Sequence, residues 1–103
     1  MGRIPGSKRV DPFRIKIEFF GIPRLRAGVA EFFVDVCRDK NRLADILETL
    51  NRELPAFGDA CVEEGQLRKD YVFNISGKRF TRSADYEILP EDTLLILSSD
   101  AGG

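Results

Sequence analysis

Apolar and polar residues alternate strictly over Phe13–Phe19, and this period of two predicts a β-strand with one buried face. A second alternating segment, Val29–Cys37, predicts another strand. Between them lie Gly21, Pro23 and Gly28, residues that favour a loop or turn. Two alternating strands with a short connection predict a β-hairpin.

The apolar period changes from two to that of a helix in residues 42–54. The apolar positions at this spacing are Leu43, Ile46, Leu47, Leu50 and Leu54. We expect Asp39 or Asn41 to cap the start of this helix and Pro55 to help end it. The leucine stripe is interpreted as the face that packs on the core, with a partner-binding helix as the alternative.

Residues 55–67 contain Pro55, Gly58 and Gly65 and are predicted to be a connecting segment. Three further strands are predicted at Tyr71–Ile75, at Lys78–Thr81, which is short, and at Thr93–Leu97. The order strand, strand, helix, strand, short strand, strand predicts an α+β protein of the β-grasp (ubiquitin-like) type. It would have a mixed sheet of four to five strands, one main helix packed on one face, and the last strand parallel to the first.

Composition sets the domain limits and the expected compartment. Residues 1–12 are rich in Gly, Pro, Ser and charge and predict a flexible N-terminal tail; residues 13–97 form the domain, and residues 98–103 are predicted to be a flexible C-terminal tail. The net charge of −1 lacks the basic excess of a nucleic-acid-binding protein. With no long apolar run and no apolar leader segment, we expect a cytoplasmic protein that does not enter a membrane.

The side chains offer little catalytic chemistry. Histidine is absent, and the two cysteines, Cys37 and Cys61, are isolated in sequence. Cys37 follows a predicted strand and is expected to be buried, whereas Cys61 lies in a predicted loop and is expected to be the more exposed. A persulfide role for Cys61 is the alternative to a structural one. We expect no bound metal and no bound cofactor.

The chain ends in Gly102-Gly103, directly after the last predicted strand. Glycine has no Cβ, so a glycine thread can pass through a slot that other residues would block. A carboxylate on such a thread can be delivered into the active site of another protein. This ending is the most informative feature of the sequence.

Together these segments resemble the MoaD/ThiS sulfur-carrier family, whose members are ubiquitin-like β-grasp proteins. The resemblance covers about residues 13–103. The internal segments that carry it are Ile17–Gly21, Arg24–Gly28, Leu43–Leu47, Ile75–Lys78 and Leu89–Thr93. Gly102-Gly103 matches the functional terminus of the family. The segment Ser98–Ala101 lacks the Pro-Pro often found before the glycines of molybdopterin synthase small subunits.

The resemblance implies that Gly103 is adenylated and converted to a thiocarboxylate, with Gly102 providing clearance behind it. ATP would be used by a MoeB/ThiF-like activating enzyme, and sulfur would pass to a MoaE-like or ThiG-like synthase subunit in molybdopterin or thiamine-thiazole synthesis. The chain is longer than a minimal thiazole carrier, which favours the MoaD-like assignment slightly. The carrier supplies a carboxylate and no catalytic groups of its own.

Strand parity predicts where a partner would bind. If Leu94 and Ile96 face the helix, then Leu95, Leu97 and Phe33 face away from it. These three apolar residues form the candidate partner-binding surface. The tail that would enter the partner contributes Ser98, Ser99, Asp100 and Ala101.

Two other functions remain open on the sequence alone. A ubiquitin-like protein modifier would use the same tail, with Gly103 joined to a lysine of a target. A β-grasp binding module whose terminal glycines are incidental would need no activation of Gly103 at all.

Overall fold

A five-stranded mixed sheet, covered on one face by helices, is the frame of the protein. The computed structural model describes residues 12–102, and the side chains of residues 12–100. The sheet contains β1 Phe13–Phe19, β2 Glu31–Val36, β5 Tyr71–Ile75, β6 Arg79–Thr81 and β7 Leu94–Ser98. The other elements are α1 Gly21–Ala27, α2 Leu43–Glu53, α3 Pro55–Cys61, the two-residue strands β3 Val62–Glu63 and β4 Gln66–Leu67, and α4 Ser99–Gly102.

The strand order across the sheet is β2-β1-β7-β5-β6. β1 pairs with β2 in antiparallel fashion and with β7 in parallel fashion, so the last strand of the sheet lies beside the first. β5 then pairs antiparallel with both β7 and β6. The predicted α+β fold, a mixed sheet with the parallel first and last strands of the β-grasp type, is confirmed.

The core lies between the sheet and α2. Its fully buried members include Ile15 and Ile17 of β1, Leu43 and Leu50 of α2, and Leu94 of β7. Within α2 the buried residues follow the predicted stripe, and Leu54 packs at its margin. Each large aliphatic side chain buried in this way stabilises the fold by about 1.5–3 kcal/mol.

The start of α2 differs from the prediction. Neither Asp39 nor Asn41 caps it; Arg42 is the capping residue, and its backbone N–H donates to Asp45 Oδ2 at 3.1 Å. The Asp45 carboxylate, at the third position of the helix, therefore accepts a hydrogen bond from the Arg42 N–H, which has no partner within the helix backbone. The Asn41 side chain is engaged elsewhere, because its Nδ2 donates to the Ile88 carbonyl oxygen at 2.8 Å.

The segment predicted as a loop between the first two strands is the helix α1, so that prediction is wrong. Gly21 is its first residue, and Pro23 lies in the first turn, where a backbone N–H has no partner inside a helix. Gly28 ends the helix with φ +78°, and its N–H donates to the Arg24 carbonyl oxygen at 3.0 Å. The same Gly and Pro residues that suggested a turn thus mark the two ends of a short helix.

Residues 55–67 are also more ordered than predicted. Pro55 begins α3, and the hairpin of β3 and β4 follows. Both cysteine placements were wrong. Cys61 is fully buried at the end of α3, whereas Cys37 is exposed and forms an isolated bridge with Lys40.

The strand β7 ends at Ser98, one residue later than predicted, and residues 99–102 form a single helical turn. Gly103 and residues 1–11, the greater part of the predicted N-terminal tail, lie outside the described residues. Among residues 12–102, no helix is long and apolar enough to cross a membrane.

Candidate functional site

The base of the C-terminal tail is held in place by hydrogen bonds to the loop before β5. The Ser99 N–H donates to the Asp70 carbonyl oxygen at 2.7 Å, and Ser99 Oγ is within 3.1 Å of the same oxygen. Ser99 Oγ also lies 3.3 Å from the Lys69 carbonyl oxygen. The chain therefore leaves the sheet from a fixed point at the end of its central strand.

The Arg82 side chain also binds the loop that holds the base of the tail. Its guanidinium donates to the Lys69 carbonyl oxygen at 3.2 Å and also to the Tyr71 carbonyl oxygen. The Lys69 carbonyl oxygen thus accepts hydrogen bonds both from Arg82, which directly follows β6, and from Ser99 at the base of the tail. Nothing in the sequence pattern signals this link, because it depends on a backbone oxygen.

The alternation along β7 agrees with the predicted parity. Leu94 and Ile96 are fully buried towards the helices, whereas Leu95 and Leu97 lie on the opposite face and are only partly buried. Within residues 12–102, no helix covers this opposite face, which is called the open face below. It is continuous with the point where the tail leaves β7.

Five apolar side chains cluster on the open face and form what we call the open-face patch. They are Phe20, Val72, Phe80, Leu95 and Leu97. The register places Val72 opposite Leu97, and it places both Phe80 and Leu95 opposite Asn74. Phe20 continues β1 by one extended residue, and its N–H donates to the Ile96 carbonyl oxygen at 3.0 Å, which brings it beside Leu97.

Two aromatic rings of the patch remain exposed and can contact a partner. Phe20 is 42% exposed and Phe80 is 52% exposed. Large apolar side chains that remain exposed together on one face are typical of a protein interaction surface. Neither ring belongs to the surface grouped from the sequence, although both positions follow from strand parity once the strand order is known.

Phe33, in contrast, is not part of this patch. It is also 52% exposed, but it lies on the edge strand β2 opposite Lys16. Lys16 Nζ is 3.0 Å from Glu18 Oε2 and 4.0 Å from Glu31 Oε2. This charged strip separates Phe33 from Leu95, so the structure does not bring together the three residues that were grouped from the sequence.

The electrostatics of the charged strip are those of a solvated surface. The hydrogen bond and charge of Glu18, assisted by the charge of Glu31, raise the pKa of Lys16 above its ordinary value. Lys16 therefore remains protonated through the neutral range. Exposed pairs of this kind contribute little to stability.

A second apolar surface flanks the tail base on the side of α1. It is a groove of about 710 Å³ lined by Gly21, Ile22, Arg24, Leu25, Gly28, Val29, Ala30 and Ser98. Ile22, Leu25 and Val29 are 44%, 75% and 40% exposed. Within α1, the spacing of three residues between Ile22 and Leu25 is a sequence signal for an apolar helix face.

The described residues hold little that could catalyse a reaction. They contain no group of three or more metal-ligating side chains. Burial raises the pKa of the Cys61 thiol, partly offset by a hydrogen bond with Tyr71 and by the charges of Arg26 and Arg68. A buried thiol with a raised pKa is a poor nucleophile and a poor persulfide carrier.

Comparison with solved structures identifies several proteins with the same architecture. The chain is similar to the HVO 2177 protein of Haloferax volcanii, at 18% identity and a TM-score of 0.72, over 98% of this chain and 94% of that chain. It is similar to the small archaeal modifier protein 1 (SAMP1) of Haloferax volcanii, at 20% identity and a TM-score of 0.70, over 87% of this chain and 99% of that chain.

A third similar structure is described as a putative molybdopterin converting factor, subunit 1, from Pyrococcus furiosus. It is 22% identical with a TM-score of 0.67, over 84% of this chain and 97% of that chain. No protein-family model and no curated protein matches the sequence. At these identities the likeness shows that this chain has the ubiquitin-like β-grasp fold of those proteins.

Proposed function

We propose that the protein is a MoaD/ThiS-like sulfur carrier whose C-terminal Gly103 is adenylated and then converted to a thiocarboxylate. The observation that carries the proposal is the position of Gly102-Gly103, which follow a central strand whose end is fixed beside an exposed apolar patch. The similarity to a protein described as a molybdopterin converting factor subunit supports it.

The chemistry explains why a carrier needs so few reactive side chains. A carboxylate is a poor acylating group because its oxygen leaves badly, and transfer of AMP from ATP, with loss of pyrophosphate, supplies a better leaving group. Sulfide released from a sulfur donor then attacks the Gly103 carbonyl, AMP leaves, and a thiocarboxylate remains on Gly103. An ATP-dependent activating enzyme of the MoeB/ThiF type would perform these steps, and a MoaE-like or ThiG-like synthase subunit would receive the sulfur.

The body of the protein would hold the tail in the partner. The six residues of 98–103 reach roughly 20 Å when extended. The single turn of α4 must unwind for this, and a helix of four residues has little stability of its own. Ordering the tail costs about 1–2 kcal/mol per residue, so docking of the open-face patch has to offset that cost.

Adenylation can be tested separately from sulfur transfer by ATP–pyrophosphate exchange. We expect the wild-type chain to stimulate exchange by the activating enzyme of its own organism. A variant that lacks Gly102 and Gly103 should not stimulate exchange, because it presents no glycine carboxylate on a thread of the right length. Equal exchange with both proteins would contradict the proposal and would favour a binding module with incidental glycines.

A protein modifier is the second candidate, and the similarity to small archaeal modifier protein 1 favours it. In that case the activated Gly103 carbonyl is attacked by a lysine amine, and AMP or an enzyme thiol leaves as an isopeptide bond forms. Proteolysis of cell extracts should then yield target peptides that carry a branched remnant of this tail on lysine. Such peptides would separate the modifier from a carrier used only for sulfur.

A further inference from the structure

Asn74 in β5 is a buried polar residue whose side chain finds no partner within the described residues. Its neighbours Tyr71, Phe73 and Ile75 belong to the core, whereas Asn74 lies on the open face. Only 5% of the residue is exposed, and its Oδ1 is buried and accepts no hydrogen bond.

The unpaired oxygen lies in the middle of the open-face patch. Leu95 of β7 is directly opposite Asn74 on one side, and Phe80 of β6 is directly opposite on the other. Opposite residues in antiparallel strands have Cβ atoms about 4.5–5.5 Å apart. Asn74 is therefore enclosed by the same apolar side chains that form the patch.

Two nearby polar side chains, Ser76 and Arg82, are engaged elsewhere. Ser76, two residues along the same face, has its Oγ 3.2 Å from Asp92 Oδ1 and accepts the Thr93 N–H at 3.1 Å. Arg82 donates to the backbone oxygens of Lys69 and Tyr71. Neither of these two side chains is therefore free to donate to Asn74 Oδ1.

This arrangement makes the free protein less stable than it could be. A buried acceptor without a partner pays the cost of losing its contact with water, whereas an apolar side chain of similar size at the same position avoids that cost. Stability of the isolated chain therefore gives no reason for an asparagine here. A partner that pairs with its oxygen gives one.

We propose that Asn74 is a specificity-determining contact of the open-face patch, and that the patch fits a protein surface that is apolar around one hydrogen-bond donor. The donor, an N–H or O–H of the partner, would reach Asn74 Oδ1. This inference rests on the proposed function in one respect: the partner is the ATP-dependent enzyme that activates Gly103. An apolar surface without a donor would leave the oxygen unpaired and would bind less well.

Phe80, directly opposite Asn74 in β6, is the side chain best placed to cover the oxygen. Its half-exposed ring lies on the three-residue edge strand β6. An exposed side chain changes rotamer within nanoseconds, so the ring can turn aside and then pack against the entering group. Binding would then place beside the oxygen a donor that pairs with it.

The first arm of the test measures the isolated protein in urea. We expect Asn74→Leu, or Asn74→Val if leucine is too large, to lower the unfolding equilibrium constant by about tenfold, because the unpaired acceptor is removed. Asp35→Leu is the matched control, because it also places a leucine on the open face of the sheet, at an exposed position in β2. Destabilisation by both Asn74 variants would overturn the inference, because the oxygen would then have a partner in the free protein.

The second arm measures binding of the same variants to the purified ATP-dependent activating enzyme by calorimetry. We expect the dissociation constant to rise by about tenfold or more for the Asn74 variants and to stay unchanged for Asp35→Leu. A more stable variant that still binds as tightly as the wild type would overturn the inference. So would a wild-type chain that does not bind the enzyme.

The two proposals fail in different ways. A wild-type chain that gains sulfur at Gly103, beside Asn74 variants that bind normally, removes the Asn74 inference and leaves the carrier function. A wild-type chain that binds through Asn74 but is never adenylated or given sulfur removes the carrier function and leaves the contact.

Discussion

The two cysteines occupy opposite environments, and this difference gives the structure a simple chemical signature. Cys61 is fully buried against the core and burial raises its pKa, whereas Cys37 is exposed beside β2. We expect iodoacetamide to modify Cys37 alone in the native protein, and both thiols in urea. Mass spectrometry of the labelled peptides checks this, and rapid native labelling of Cys61 would show that the placement of α3 is wrong.

The buried thiol also predicts how stability changes at alkaline pH. The ordinary pKa of the thiol is 9.0, and it is raised in the folded state, so above about pH 9 the unfolded chain loses its proton first. The contribution of Cys61 is therefore fully present below that pH and is lost as pH rises. Cys61→Ala should be less stable at pH 7, because packing is lost, but should lose less stability between pH 8 and pH 10.

Urea midpoints at several pH values measure this slope. Cys37→Ala is the control and should keep the wild-type decline, because that side chain is exposed. An equal decline for Cys61→Ala and the wild type would assign the alkaline loss to other groups. Tyr71 is the first of these, since burial also raises its pKa.

Gly58 reports on the close contact between α3 and α2. A Cβ at this position would lie 1.8 Å from Asn51 Oδ1 and 3.1 Å from Asn51 Cα. We expect Gly58→Ala to destabilise the protein by about 1–3 kcal/mol, because the overlap outweighs the better helix propensity of alanine. Adding Asn51→Ala should restore most of the loss, and a double variant no better than the single one would contradict this packing.

At the scale of elements, the prediction was accurate where the apolar period was long or unbroken. β1 and β5 were predicted at their observed bounds, and α2 within one residue, because each has a continuous core face. The short helices α1 and α3 were missed. Each has only seven residues and contains Gly and Pro, so local signals for a turn and for a helix end were indistinguishable.

The open-face patch is the element-scale feature that differs most from the sequence grouping. We expect Phe20→Ala and Leu97→Ala each to weaken binding to the activating enzyme by about tenfold, because both remove apolar contact beside the tail. Phe33→Ala should leave binding unchanged, since the charged strip separates it from the patch. Calorimetry of the three variants checks the boundary, and a larger loss for Phe33→Ala would move the interface to β2.

At the scale of the whole molecule, the sequence predicted two of the five members of the open-face patch. Leu95 and Leu97 follow from alternation along one strand. Phe20, Val72 and Phe80 join them only through the pairing of β7 with β1 and β5 and of β5 with β6, which no local pattern encodes. The hydrogen bonds that fix the tail base depend on backbone oxygens and were equally beyond the sequence.

The central claim is that Gly103 accepts sulfur, and intact-mass spectrometry tests it most directly. The protein is incubated with the activating enzyme, ATP and a sulfur donor, beside a sample without ATP and a variant without Gly103. The account predicts replacement of one oxygen by sulfur, located to the C-terminal peptide, in the complete reaction alone. An unchanged mass in the complete reaction would contradict the claim, provided that the same enzyme preparation is shown to be active on another sulfur carrier.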